Sequence, residues 1–228
     1  MKKRTMFSEA AYLIGLAVLA FATAMMERAD FGMSMVVAPA YLAHLKLSGM
    51  GWTFMTFGTA EYLLQLLLLV GLTVVMRSFR LSYLFSFVTA VIYGLMLDGS
   101  IALVGLIPGD GILFRAAFYV LGMVLCSAGV SLLFHTYIAP EAYELVVKEA
   151  AAKWKLDIHR TKTVYDLVSC AVAVVMSFSF FGFGVFEGVK RGTIVCALVN
   201  GWLIGLCSRF FERQFAFRDG LKLRCWFE

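Results

Sequence analysis

A carboxylate in the middle of an apolar run is the first feature of this chain that asks for a chemical explanation. Glu61 stands eight residues into the stretch Thr53 to Met76, about 12 Å along a helix. If that helix crosses a membrane, the carboxyl lies near its centre and must be protonated, paired or wetted, at a cost of about 2.5 to 3.5 kcal/mol. Tyr62 is adjacent, and Gln65, four residues on, shares the helix face of Glu61. A carboxyl and an amide stacked in this way suit a cation, an amine or a proton relay. A protonated Glu61 bonded to a neighbouring helix is the structural alternative. Asp166, beside Tyr165, holds the corresponding place in a later run, Thr163 to Phe186, about 4.5 Å past its start, where snorkelling or pairing with Lys162 would also explain it. Asn200, with Gly201 and Gly205 in the run Gly192 to Ser208, reads as an interhelical hydrogen-bonder or a substrate contact. Glu61, Tyr62, Gln65, Asp166 and Asn200 are the candidate substrate-binding residues.

A second set, Arg28, Asp30, Gly32 and Ser34, lies in the stretch RADFGMSM. A glycine turn feeding a helical run through Tyr41 to Leu47 would offer N–H groups to an anion. Arg28 strengthens that preference and Asp30 weakens it, and an ordinary N-cap with an Arg28–Asp30 surface pair is the simpler reading. His135 reads as a gating contact or an interface anchor. Met25, Met26, Met33 and Met35 crowd one stretch; thioethers suit Cu(I) but fill cores as readily. The five cysteines form no CxxC pair, so neither a disulfide framework nor a zinc site is written here. With no HExxH, GxSxG or Walker loop, no catalytic residue, metal or cofactor is assigned and an enzyme is not expected.

The elements that must position these residues follow from composition. Of 228 residues 61% are hydrophobic and 15% charged, against roughly 45 to 50% and about 25% in a soluble domain, which excludes a cytosolic globular protein. The net charge of +5 fits the cytoplasmic side of a membrane protein better than nucleic acid. Six nearly uncharged runs, Ala10 to Met26, Thr53 to Met76, Leu81 to Leu97, Ala116 to Ile138, Thr163 to Phe186 and Gly192 to Ser208, predict six transmembrane helices. The first has the basic start of a signal peptide but no clear cleavage site, so a retained helix is expected. Fifteen basic residues fall on the side of the N-terminus and five on the other, which puts both termini in the cytoplasm. The loop Ala139 to Lys162 reads as a cytoplasmic amphipathic helix, and the tail from Arg209 interleaves aromatic and basic residues; both are expected on anionic lipid.

The layout repeats. Thr53 pairs with Thr163, Leu81 with Gly192 and Ala10 with Arg115, at separations of 110, 111 and 105 residues, and each half carries one proline in its long loop, Pro39 or Pro140. Residues 1–98 then form a first three-helix repeat, 99–114 a linker, 115–208 a second repeat and 209–228 the tail. Three spans per half invert the second copy, as in many secondary transporters, although channels and passive scaffolds also arise by inverted duplication.

ERADFGMSM, Glu27 to Met35, resembles the R-A-D-x-G-x-S stretch of the YczE, YyaS and YitT group of bacterial membrane proteins, and GTIVCALVNGWLIG, Gly192 to Gly205, is similar to their glycine-bounded last helix. Met35 stands where that group usually has proline. The resemblance implies six helices in the inner membrane and movement of small solutes, with no established substrate.

The expected function is transport of a small solute by alternating access between the repeats, a cation, an amine or a coupled proton being favoured by Glu61. The alternatives are a substrate-capture subunit of a vitamin importer, for which Ala20 and Ala24 supply small-xxx-small docking spacing, and a non-transporting scaffold or sensor. Expected partners are the bilayer, anionic lipid at the cytoplasmic face, a small-molecule substrate and a second copy in a homodimer, but no nucleic acid.

Overall fold

The computed structural model describes residues 4–221. Its order is β1 (Arg4–Phe7), α1 (Ser8–Ala29), α2 (Ala38–Gly49), α3 (Phe57–Met76), α4 (Leu81–Gly105), α5 (Ile112–Phe134), α6 (Ala142–Trp154), α7 (Ile158–Phe181), α8 (Arg191–Gln214) and β2 (Phe215–Arg218). Among the described residues six helices, α1, α3, α4, α5, α7 and α8, are long and apolar enough to cross a membrane. The chain is an all-α polytopic membrane protein. Lipid-facing and buried positions alternate with the helical period: on α7 Val164, Val168, Val172 and Val175 face out while Asp166, Cys170, Ala173 and Ser177 are buried.

Helices α1, α4 and α8 outrun their uncharged runs, because polar end residues keep helical backbone where they find partners, whereas α3 starts at Phe57 and not Thr53, α5 ends at Phe134 and not Ile138, and α7 ends at Phe181 and not Phe186. Asp98, just past the expected end of the third span at Leu97, lies inside α4, accepting from the Thr56 hydroxyl at 2.7 Å and the Gly58 N–H at 2.9 Å. Residues 99–114 are therefore largely helical, with only 106–111 connecting α4 to α5. Likewise α8 continues through Gln214 into β2, so the tail is shorter than expected; its Trp226 lies outside the described residues.

Helix α1 lies at the centre, packed along α5 and flanked by α4, while α8 flanks α5 and the pairs α3–α4 and α7–α8 complete the bundle. Its close approach to α5 needs glycine. A Cβ on Gly15 would lie 3.1 Å from Gly129 O, and one on Gly122 would lie 3.0 Å from Ala22 O. The two contacts are reciprocal, since Gly15 and Gly122, like Ala22 and Gly129, are 107 residues apart.

The two short helices decide the architecture. With 12 and 13 residues, α2 and α6 are about 18 and 20 Å long, too short to span. Each follows non-helical backbone, residues 31–37 and 135–141. Residues 31–37 leave α1 and pair with the connection ahead of α8, through Met33 N–H to Gly188 O at 2.9 Å and Gly192 N–H to Phe31 O at 3.0 Å. From mid-depth α2 then returns to the face it came from, where Lys46 Nζ donates to Phe180 O near the end of α7. In the opposite sense, residues 135–141 leave α5 and α6 returns to the other face, where Lys153 Nζ donates to Val75 O near the end of α3. Both lysines answer the free carbonyls of a helix C-terminus, and both bonds are 2.9 Å long.

Non-helical backbone survives at this depth only where protein satisfies it. The Ser86 hydroxyl donates to Pro140 O at 2.6 Å and the Thr89 hydroxyl to Ala139 O at 3.0 Å. The segment Ala139 to Lys162 thus departs from the expected surface helix: Ala142 to Leu145 are buried, and only the later part, with Lys148, Lys153 and Trp154, is exposed. Strands β1 and β2 pair in parallel, Arg4 opposite Phe215 through Phe7 opposite Arg218, which brings both ends of the described chain to one face and requires an even number of crossings.

Candidate functional site

The tips of the two re-entrant segments meet mid-bundle, and the buried ionisable side chains collect there. Glu61 and Gln65 come from α3, Glu141 and Glu144 from the start of α6, Lys162 and Asp166 from α7 and Asn200 from α8; none is more than 3% exposed. Gln65 is the hub. Its carbonyl accepts from Ala142 N–H at 2.9 Å, capping α6 from another helix, while its amide donates to Glu141 Oε2 at 3.2 Å and Glu61 Oε1 at 3.5 Å. The i, i+4 spacing on α3 therefore aligns two acceptors and a donor around one helix start.

Lys162 binds the other pair of carboxylates. Its ammonium lies 3.3 Å from Glu144 Oε1 and 3.1 Å from Asp166 Oδ1, over the Tyr165 ring. Asp166 also faces Asn200, whose Oδ1 accepts from Ser127 at 2.9 Å. Tyr143 turns its hydroxyl toward Glu61. The positive end of the α6 dipole favours carboxylates at its first turn, which accounts for Glu141 and Glu144 at such a depth.

Four carboxyls face one ammonium. Held as ions they would leave three uncompensated charges in a water-poor interior, where each unpaired ion costs several kcal/mol, so the cluster balances only with protons or a further cation. Several oxygens lack a partner: Glu61 Oε2, Glu141 Oε1 and Glu144 Oε2 are buried without a hydrogen bond. Beside them lies an internal cavity lined by Thr23, Ser34, Tyr93, Glu141, Glu144, Lys162 and Asn200. Its volume of about 20 Å³ holds a water molecule or two and no organic solute. Glu61 is not on its wall.

The structure thus brings together four of the five expected substrate residues, Glu61, Gln65, Asp166 and Asn200. Tyr62 points elsewhere, its ring lying against Gly94 of α4. Asp166 is not a snorkelling interface residue but fully buried, because α7 starts earlier than its apolar run. Glu141, Tyr143, Glu144 and Lys162 were not expected at the centre; the available signal was a proline-bearing break at matching places in the two halves.

The second set of residues spreads along the return path. Arg28 donates to Val104 O and does not pair with Asp30, contrary to expectation. Asp30 sits at the left-handed end of α1 with φ 55°, which turns its carboxylate toward Arg115, 2.8 Å away, and Lys190. Gly32, at φ 114°, lies so close to α8 that a Cβ would sit 2.4 Å from Thr193 Oγ1, so both conformation and space demand glycine. Ser34 is buried and reaches the cavity. His135 is on the face of the termini, with Nε2 3.2 Å from Glu212 and its ring against Phe217. Nearby, Tyr137 donates to Glu9 at 2.6 Å; burial, then that bond and the carboxylate's charge, pushes its hydroxyl up to about 12, so it stays a donor at neutral pH. Among the described residues no group of three His, Cys, Asp or Glu side chains is placed to hold a metal ion.

Over residues 6–209 the chain matches DUF6198, a family of unknown function, and it belongs to that family. No curated protein and no solved structure matches it.

Proposed function

We propose that this member of the family is a carrier of small solutes that works by alternating access between two inverted repeats, residues 1–98 and 115–208, around the central charged cluster. One observation carries the reading: two re-entrant half-helices from opposite faces meet at buried carboxyls with unbonded oxygens. Interrupted helices that bring their ends to a midplane site are the usual construction of secondary transporters. The pairing of α2 with α7 and of α6 with α3, the matched lysine bonds at their far ends and the reciprocal glycine contacts of α1 and α5 support the inversion.

The charge imbalance favours a cationic or amine solute, or proton coupling. Lys162 occupies one pair of carboxylates as a tethered cation, while Glu61 and Glu141 share the single amide of Gln65. With its small cavity the conformation is an occluded one. Ion pairs link the elements at both faces, Asp30 with Arg115 and Lys190 at one and Arg80 with Glu149 at the other. The basic bias puts the latter face and the termini in the cytoplasm. Kinship with the YczE, YyaS and YitT group belongs to the same proposal.

The test is flux. Proteoliposomes with an imposed pH gradient, offered radiolabelled methylammonium, choline and a panel of small amines, should show saturable uptake of at least one solute that Lys162→Met abolishes. Folded, reconstituted protein that moves none of them and no protons would refute the reading. The importer-subunit alternative loses its support, since Ala20 and Ala24 are wholly buried and cannot dock a partner. A passive scaffold is the second reading, favoured by the smallness of the cavity, and saturable flux would exclude it.

A further inference from the structure

A groove runs between α7 and α8 on the lipid-facing surface, close to the face of the termini. Its floor is open because Gly201 has no side chain; a Cβ there would meet only Thr163 Oγ1. Along it Trp202 and Gly205 lead to Ser208, Arg160 and Arg209, and its volume is about 580 Å³. On the far flank of α8 a second groove of about 450 Å³ is lined by Leu206, Phe210, Arg209 and Arg213. Arg209 is on the ridge between them and belongs to both.

Neither Arg160 nor Arg209 is in an ion pair among the described residues; Arg209 only donates Nε to Gly205 O at 3.2 Å. Glu212, the one carboxylate at the groove, is engaged by His135 and Ser208. Two guanidinium groups outside any ion pair thus stand where α7 begins and α8 nears its end, at one end of a groove whose deeper part carries the exposed Trp202, halfway along α8. Arginine forks suit phosphate oxygens.

We propose that this ridge is a binding site for an anionic phospholipid, its phosphate between Arg160 and Arg209 and one acyl chain in each groove beside α8. A second copy of the chain fits less well, because a two-fold contact here would set the same arginines against one another. Lipid rather than free phosphate is the occupant, because exposed Trp202 on one side of the charge and Leu206 with Phe210 on the other offer apolar surface beside it. The site stands whether or not the chain carries solutes.

The experiment is native mass spectrometry of the full chain released from a non-ionic detergent, titrated with phosphatidylglycerol or phosphatidylcholine of equal chain length. Wild type should retain phosphatidylglycerol preferentially. At the surface worth of one basic residue, Arg160→Gln and Arg209→Gln should each weaken that binding about 5-fold and the double variant about 30-fold. The control Arg77→Gln with Lys148→Gln, which removes as much charge elsewhere, should leave it unchanged. Equal retention of the two lipids by wild type overturns the proposal. So does an equal loss in the control, which would mark a diffuse charge effect, or a shift in oligomeric state in place of lipid loss. Inorganic phosphate that protects the fold as well as phosphatidylglycerol does would also overturn it. Thermal unfolding of each variant without lipid separates loss of the site from loss of the fold.

Discussion

Replacing Lys162 with methionine removes a charge and little volume, and tests whether the central cluster is held together as ions. The ammonium is 3.3 Å from Glu144 and 3.1 Å from Asp166, with all three side chains no more than 4% exposed. At an effective dielectric constant of about 20, each contact is worth about 5 kcal/mol of attraction. Desolvation of the lysine offsets much of the total, and deleting one partner of a buried pair usually costs about 3 to 5 kcal/mol. The variant should lose that much stability at about pH 8, measured by SDS unfolding in mixed micelles. The loss should be pH-dependent in a stated direction. Without the ammonium, Glu144 and Asp166 fold most easily as neutral acids, so the folded variant binds protons that the unfolded chain, with carboxyls titrating near 4, does not. Its stability relative to wild type must therefore rise as the pH falls, by up to about 1.4 kcal/mol per pH unit for each proton taken up. A deficit that stays constant between about pH 8 and pH 5, or one below about 1 kcal/mol throughout, would refute the charge reasoning and leave Lys162 as packing.

Three further outcomes are expected. Gly32→Ala should destabilise the fold by about 2 kcal/mol or more in the same assay, because the left-handed backbone and the Thr193 contact both oppose a side chain; a neutral result would show that residues 31–37 are not anchored on α8. A cysteine at Lys153 should be inert to an impermeant reagent added outside intact cells while one at Trp52 reacts, and the reverse pattern would invert the assigned topology. Glu61→Gln should stay folded, since the amide keeps its shape and one acceptor for Gln65, but should lose proton-coupled uptake; full transport across the pH range would remove Glu61 from the site.

The six spans were legible because lipid demands long apolar runs, and Glu61 with Gln65 was legible because polar residues four apart inside such a run must share a partner. The depth of Glu141 and Glu144 was not. They stand among lysines and alanines in a segment whose average polarity matches a surface helix, and their burial follows from the turn at Pro140 and from the Gln65 cap on Ala142 N–H, neither of which is local. Asp166 was legible as a candidate, but its depth was not, and snorkelling or a pair with Lys162 stood beside the site reading, since the helix was expected to begin at Thr163 when it begins at Ile158. Arg28 and Asp30, two residues apart, suggested a local pair; the left-handed turn at Asp30 hands its carboxylate to residues 85 and 160 positions away, which no spacing rule anticipates.

The parallel pairing of β1 with β2 has a consequence for biosynthesis. Strand β1 is made before the six spans and its partner only after them, roughly 10 to 40 s later at ordinary elongation rates. Until then Arg4 to Phe7 offers an unpaired edge in the cell, open to chaperones or proteases, and closing it needs a loop of some two hundred residues to be already in place. A chain stalled or truncated before Phe215 would leave the edge of β1 unpaired.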